Sequence, residues 1–365
     1  MTRTLLPVAL VLAFSATAAA QQPPSVQNGR LETRSATSID REVTSFSASA
    51  DPVWIGWSVP IVDGERVSGC QNWISDSEYW RGTQLDFGVY GATTTTNRPQ
   101  TAPATAAALE APSTLVVLAR ISEGRVERLR SIGADCPIDA GGRSLYWLNG
   151  VTPAESLRWL DTFTTLDKGD RLSMTARKDL ANTAVGTIAR HRDAAADVIL
   201  DRIATKDLDA SLRQQAQSSL GTLRGAHGFA TLRTLLATER TQENRRRLVT
   251  AIGATREPGT VDVLRGLLKD SDDNVRGEAV YYFAIRGGQK VVPEVRAVMD
   301  SDPVANVRTR AVSGLARLPE DAAVPLLIDI VGTSKDPEVR KKAVSSLGTS
   351  KDPRAVQFLQ DLVKK

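Results

Sequence analysis

Residues 273–287 read DNVRGEAVYYFAIRG, and the same pattern returns in ANVRTRAVSGLARL from Ala305 and PEVRKKAVSSLGTS from Pro337. Each copy has Val-Arg, an Ala four residues after the Val, and a large apolar residue four further on. Taking that Val position as an anchor, equivalent residues along the chain are Leu180, Leu212, Asn244, Val275, Val307 and Val339, spaced 32, 32, 31, 32 and 32 apart. Four after each anchor stand Ala184, Ala216, Leu248, Ala279, Ala311 and Ala343; eight after stand Ile188, Leu220, Ile252, Phe283, Leu315 and Leu347. Positions i, i+4 and i+8 share one helical face. The small middle residue lets a neighbouring helix come close. A second apolar helix follows each first one, as in FATLRTLLA and AVPLLIDIV. Two short helices cannot bury their apolar stripes alone, whereas stacked copies form one continuous core. About six such pairs fill residues 169–365.

The form D-P-x-V-R-x-x-A-x-x-x-L-G, seen most fully in DPEVRKKAVSSLG, resembles bacterial HEAT repeats of the phycobilisome-lyase type. The resemblance covers roughly Arg171 to Lys365. It implies an all-α, right-handed solenoid and leaves function open, because that family spans scaffolds, lyases and hydroxylases.

The preceding half has another texture. All six tryptophans lie before residue 160 (Trp54, Trp57, Trp73, Trp80, Trp147, Trp159). PVWIGWSVPIV alternates with period two, which predicts a strand with one face buried. In the run from Leu115 to Ser131, two strand-like segments flank Ser122-Glu123-Gly124, a hairpin with Gly where positive φ is needed. QLDFGVY (84–90) is a further candidate strand, and residues 93–113 have no period and read as a long mobile loop. The expected class is therefore α+β with two domains: a small β-rich domain at 21–168 and the solenoid at 169–365. Thr152-Pro153-Ala154-Glu155 marks a helix start, with Thr at the N-cap, Pro at the first helical position and Glu two further on. GWSVP followed by a Cys, together with ADCPIDAGG and YWLNGV, resembles the N-terminal region of exported bacterial HEAT-repeat proteins. That likeness implies no activity.

Residues 1–20 have the build of an export signal: Arg3, an apolar core from Leu5 to Phe14, and Ala18-Ala19-Ala20 before a cut that leaves Gln21 first. The apolar core is about half the roughly 20 residues a membrane span needs. The expected place is periplasmic or secreted. Two cysteines, Cys70 and Cys136, favour one disulfide in such a compartment over a metal pair or a reactive thiol. The net charge of +4 and the pI of about 9.1 permit an anionic partner without requiring one. Export disfavours nucleic acid, and Arg245-Arg246-Arg247 reads as a solvated helix face.

Two columns of arginine run through the repeats. One residue after the anchors stand Arg213, Arg245, Arg276, Arg308 and Arg340. Stacking would bring these like charges into a row. Asp209, Asp272 and Asp336, three before their anchors, offer helix N-caps and counter-charges; Thr241 and Val304 hold that position in the other two units, with Asp302 close by in the latter. Resemblance to HEAT arrays implies a structural Asp–Arg ladder there. The second column, Arg233, Arg265 and Arg296, falls on the second helices without an acid at fixed offset. It reads either as ordinary solvated charge or as a basic strip for an anionic or carboxylate-bearing partner, such as an acidic protein, on the helices that line the concave face in solenoids resembling this one.

No catalytic constellation is legible. The histidines are His191 and His227, too few for the paired His-Glu ligands of a di-iron centre, and His227 is expected in the inter-helix turn GAHG. No phosphate loop, nucleophile elbow or zinc spacing is present. The sequence therefore points to a scaffold and not an enzyme, with no cofactor and no membrane span. The competing reading is an enzyme or carbohydrate-binding module using Trp54, Trp57, Trp73 and Trp80, against which stands plain core packing of the same tryptophans.

Overall fold

A strand as apolar as VWIGWSVP suits a sheet interior better than a surface. The computed structural model of the protein describes residues 23–49, 51–63, 65, 113–166, 172–206 and 209–364. Within them, β3 (Val53–Pro60) is buried at every residue but the last. It is the middle strand of a five-stranded sheet ordered β2 (Arg30–Ser35), β7 (Ser144–Asn149), β3, β4 (Thr114–Ser122) and β5 (Arg125–Gly133). Strands β2 and β3 run parallel to β7, while β4 and β5 form an antiparallel hairpin. The alternation expected of Val53–Pro60 would leave one face solvated; a central strand covered on both faces buries both sets of side chains instead. A two-stranded parallel pair, β1 (Val26–Gln27) with β6 (Ile138–Asp139), completes the β elements described.

The β4–β5 turn is tighter than expected. Ser122 ends β4 and pairs with Arg125, leaving a two-residue turn of Glu123 and Gly124 at φ 50° and 71°. Positive φ at both central residues is the primed turn whose twist suits a hairpin. Helix α1 (Ile39–Ser45) follows β2 and is capped by Ser38. Helix α2 (Pro153–Asp161) begins as its sequence predicts, with Thr152 Oγ1 accepting the Glu155 amide at 3.1 Å. The Glu155 carboxylate reaches α1, where it accepts the Ile39 amide at 3.0 Å.

Packing groups residues 1–59 and 67–155 into one unit, and 60–66 and 156–365 into another. The division falls within α2; the expected boundary at 168 lies among residues outside those described. Outside them also lie residues 1–20, Cys70, Trp73, Trp80, QLDFGVY and most of the 93–113 segment.

Among its described residues the second unit has six helix pairs: α3 (Met174–Arg190) with α4 (Ala195–Lys206), α5 (Ala210–Leu223) with α6 (Gly225–Thr238), α7 (Gln242–Ala254) with α8 (Thr260–Leu267), α9 (Asp273–Gly287) with α10 (Val292–Ser301), α11 (Ala305–Leu315) with α12 (Glu320–Thr333), and α13 (Pro337–Leu347) with α14 (Pro353–Val363). All i+4 and i+8 residues of the stripe are buried, from Ala184 and Ile188 to Ala343 and Leu347. So are five of the six anchors. Asn244 is half-exposed and donates to Glu239 at 3.3 Å, so this polar anchor sits where the stripe meets solvent. Successive first helices approach closely. A Cβ added at Gly221 of α5 would lie 2.2 Å from the Ala251 carbonyl oxygen of α7, which no side chain tolerates.

Candidate functional site

The first arginine column is built into the stack. Arg276 on α9 grips Asp302 through Nε (2.8 Å) and Nη2 (3.2 Å), and donates from Nη1 to the Asp270 carbonyl at 2.8 Å. Both charged side chains are largely buried, at 12% and 7% exposure. Burial raises the Asp302 pKa, and hydrogen bonds from Arg276 and the Val304 amide outweigh it, so the net shift is downward. Arg245 pairs in the same way with Asp270, and Arg308 with Asp336 at 2.6 Å. Arg340 donates to the Ser334 carbonyl at 2.9 Å. Arg213 sits beside its anchor, its amide donating to the Asp209 carbonyl at 3.1 Å.

Of the three acids that pair with this column, Asp336 stands among the expected N-caps and Asp302 beside one, while Asp270 stands outside that expectation. Asp209, Asp272 and Asp336 do cap their helices, accepting the amides of Leu212, Val275 and Val339 among others. The arginines mostly use a different position, five before the next anchor. There Asp270 and Asp302 each accept a loop amide two residues on (Asp272 at 3.0 Å, Val304 at 2.9 Å) and still present the second oxygen to the arginine. In the last unit that position is Ser334. Its hydroxyl keeps the turn by accepting the Asp336 amide at 3.3 Å but carries no charge, so Arg308 moves on to Asp336. The column Glu239, Asp270, Asp302, Ser334 was present in the sequence as an acid-rich position before each helix start.

A third set of arginines had no sequence signal. Arg224, at the end of α5, is 6% exposed and caps the C-terminus of α3, donating to the His191 carbonyl at 2.6 Å and to Asp197 at 2.5 Å. Arg286 does the same for α7, donating to the carbonyls of Gly253 and Ala254 at 2.6 and 2.7 Å. Cations at helix C-termini meet the unpaired carbonyls and the negative end of the dipole.

The second column, read as having no acid at fixed offset, is ion-paired at two of its three positions. Arg265 on α8 binds Asp262 at 2.6 Å and Glu294 of α10 at 2.9 Å, and Arg296 on α10 binds Asp329 of α12 at 2.5 Å. The partners lie 29 and 33 residues on, so no fixed offset revealed them. Arg233 has no acid partner among the described residues; its guanidinium lies 5.5 Å from the Phe229 ring centre. The strip is thus a row of both signs. Arg245, Arg246 and Arg247 are likewise engaged: Glu243 accepts from Arg246 and Arg247, both at 2.9 Å, and is pushed down to about 2 mainly by those bonds. On the first-helix side Glu278 joins Arg246 (3.5 Å) to Arg310 (2.5 Å).

Neither histidine sits as a loose surface ligand. His191 is fully buried; its Nδ1 lies 2.9 Å from the Thr187 carbonyl and its Nε2 2.9 Å from Ser156 Oγ. Burial lowers its pKa to about 4. A carbonyl can only accept, so Nδ1 carries the proton and Nε2 accepts from the serine. His227 lies in the first turn of α6 and not in the preceding turn, 3.0 Å from Asp201 Oδ2. Among the described residues no group of three His, Cys, Asp or Glu is placed to hold a metal, and no helix is long and apolar enough to cross a membrane.

The tryptophan pocket finds no support in the described residues. Trp54, Trp57, Trp147 and Trp159 are exposed by 2% or less. Trp54 and Trp147 pack with Val116, Leu118, Ile138 and Cys136 in one core cluster. Cys136 is buried there; its pairing with Cys70 falls outside the described residues.

Six stacked helix pairs joined by an arginine–aspartate ladder define a HEAT-like α-solenoid following a small sheet-containing region. Residues 229–316 and 301–365 match the family model for HEAT repeats. Among solved structures the chain is similar to human deoxyhypusine hydroxylase in complex with glycerol (16% identity, 57% of this chain and 91% of that chain, TM-score 0.30). It is similar also to the complex of CpcE and CpcF of phycocyanin lyase from Nostoc sp. PCC7120 (17%, 59% and 88%, 0.34) and to Kap121p (13%, 58% and 27%, 0.35). Nothing among the curated proteins matches the sequence.

Proposed function

We propose that this chain is an exported scaffold of the bacterial envelope and not an enzyme. Its helical array binds a protein partner through the exposed side of the second helices. The observation that carries this reading is the row Arg265–Glu294 and Arg296–Asp329. It lays charges of both signs across three consecutive units at the surface. An extended pattern of that kind suits recognition of another protein, where complementary charges set register and association rate more than affinity. Export is supported by the build of residues 1–20, and a Cys70–Cys136 bond would fit the oxidising compartment it implies.

The test is affinity purification of the tagged full chain from envelope extract, with mass spectrometry of the captured proteins and of the bait's own N-terminus. A bait beginning at Gln21 and one recurrent partner are expected. Changing Arg233, Arg265 and Arg296 together to Glu should weaken that partner and reduce the salt dependence of its association. Recovery of the partner at wild-type levels in low salt would remove the second-helix face from consideration. A bait retaining Met1 in the cytoplasm would overturn export.

A further inference from the structure

Among the described residues, five of the six helix pairs are followed by another and α13–α14 is not. The contacts made within the array show what that pair lacks. Arg276 and Arg308 divide their donors. Nη1 of each holds a carbonyl of its own loop, of Asp270 and Asp302, both at 2.8 Å. Nε of each reaches an acid just before the next first helix, Asp302 at 2.8 Å and Asp336 at 2.6 Å. Arg340 keeps the first half of this arrangement, donating from Nη1 to the Ser334 carbonyl at 2.9 Å. It has no acid partner among the described residues, because its fellows draw theirs from the following unit. Lys341 is in the same position. Its equivalent Arg246 meets Glu278 of the next first helix at 3.5 Å. Lys341 is exposed and has no acid partner among the described residues.

The apolar packing changes at the same place. Val249, Val280 and Val312, five after their anchors, are fully buried, whereas Val344 in that position is half-exposed. On the second helices Leu232, Leu264 and Leu327 are buried, and their counterpart Leu359 is half-exposed. Phe229 faces the next unit, its ring 3.2 Å from where a Cβ on Gly259 would stand; its counterpart Val356 is 46% exposed. Val356, Leu359 and Val363, the last 87% exposed, fall at i, i+3 and i+7 and so form one stripe on α14. The terminal units of solenoids ordinarily turn a polar face outward. This one presents the surface that takes a helix pair everywhere else in the array.

Charge selects what covers it. Residues 337–365 hold seven Lys or Arg and three Asp or Glu; taking these from the chain's 46 and 42 leaves 39 of each sign. The whole net charge of +4 is therefore gathered in the last helix pair. We propose that this end face docks an acidic amphipathic helix of a partner protein. The apolar stripe of that helix lies on Val344, Val356, Leu359 and Val363, and its carboxylates meet Arg340 and Lys341 as Asp336 meets Arg308 and Glu278 meets Arg246. A second copy of this chain offers no surplus of acid to such a face, and end against end it would oppose like charges. The end face excludes Arg233, Arg265 and Arg296, so it takes its partner whatever the second-helix row does.

The experiment measures fluorescence anisotropy of a labelled peptide with the full chain. The peptide has about 20 residues, enough for an isolated helix, with Leu at i, i+3, i+4 and i+7 and Glu on both flanks. Two companions carry Lys in place of Glu, or the same residues in scrambled order. The striped Glu peptide alone should bind. Val363→Asp and Lys341→Glu, both at exposed sites, should each raise its Kd at least about tenfold. Arg340→Gln should raise it less, and Lys206→Glu, on α4, should leave it unchanged. Wild-type affinity in the Val363→Asp and Lys341→Glu proteins, or equal binding of the companion peptides, overturns the end face. So does loss of binding in the Arg233, Arg265 and Arg296 to Glu variant with binding kept in Val363→Asp, which assigns the peptide to the second-helix row. Sedimentation equilibrium supplies the last arm: a wild-type dimer that Val363→Asp returns to monomer makes a second copy the occupant and overturns the acidic partner.

Discussion

The two arginine columns differ in almost nothing that the sequence displays. Both recur about every 32 residues, both fall on helices, and members of both are ion-paired. Their surroundings separate them. The first column faces loops packed under the next unit, where Arg276 and Asp302 are largely buried; the second lies along the open side, where Arg265 and Glu294 are each more than two-fifths exposed. Removing one member of a buried pair strands a charge without water, whereas an exposed pair dissolves into solvent. The comparison teaches that repeat position fixes which residues meet, and depth fixes what the meeting is worth.

The sharpest way to break the comparison is at the deepest cation. Arg224→Ala should destabilise the helical unit by about 3–5 kcal/mol, because it strands Asp197 and exposes the α3 C-terminus to no partner. A denaturation midpoint close to wild type would show that depth does not govern these contacts.

Acid should act on the same side of the molecule. His191 takes its proton at about 4 when folded and near 6.5 when unfolded. Between those values the unfolded chain binds a proton that the folded chain refuses, so stability falls as pH drops from about 6.5 to about 4. The whole step amounts to about 3 kcal/mol. It should vanish in His191→Gln, whatever that variant's stability at neutral pH. An identical pH slope in both proteins would assign the loss to carboxylates, whose own protonation begins lower.

A smaller effect is expected one layer out. Arg276→Ala should cost about 2 kcal/mol, since Asp302 and two loop carbonyls lose a buried donor. Hydrogen exchange should loosen α9 and α11 most and leave the sheet unit as it was, because repeats couple mainly to their neighbours. The smallest effect belongs to the outer row. Arg265→Ala and Arg296→Ala should leave the thermal midpoint unchanged within measurement while altering association with the captured partner. A clear loss of stability there would erase the distinction between the columns.

Legibility follows the same division. The stripe from Ala184 to Leu347 could be read because its period is set by the helix itself and each residue answers to its own neighbours at i±4. The caps Asp209, Asp272 and Asp336 and the Thr152 start were readable for the same local reason. Which arginine each acid meets was not. Arg245 reaches 25 residues ahead, Arg276 26 and Arg308 28, because one unit is a residue shorter and because Ser334 replaces the acid that Arg308 would otherwise meet. A search at constant offset passes over such pairs.

The sequence by itself determined the number of helix pairs, the faces they bury and most of their starts, since those depend on spacing within a single helix. Only the tertiary structure decided that Trp54 and Trp57 are core, that Arg265 and Arg296 are paired, and that Arg224 and Arg286 cap the helices of the preceding units. Those facts depend on which chain segments cover one another, and no short-range pattern encodes coverage.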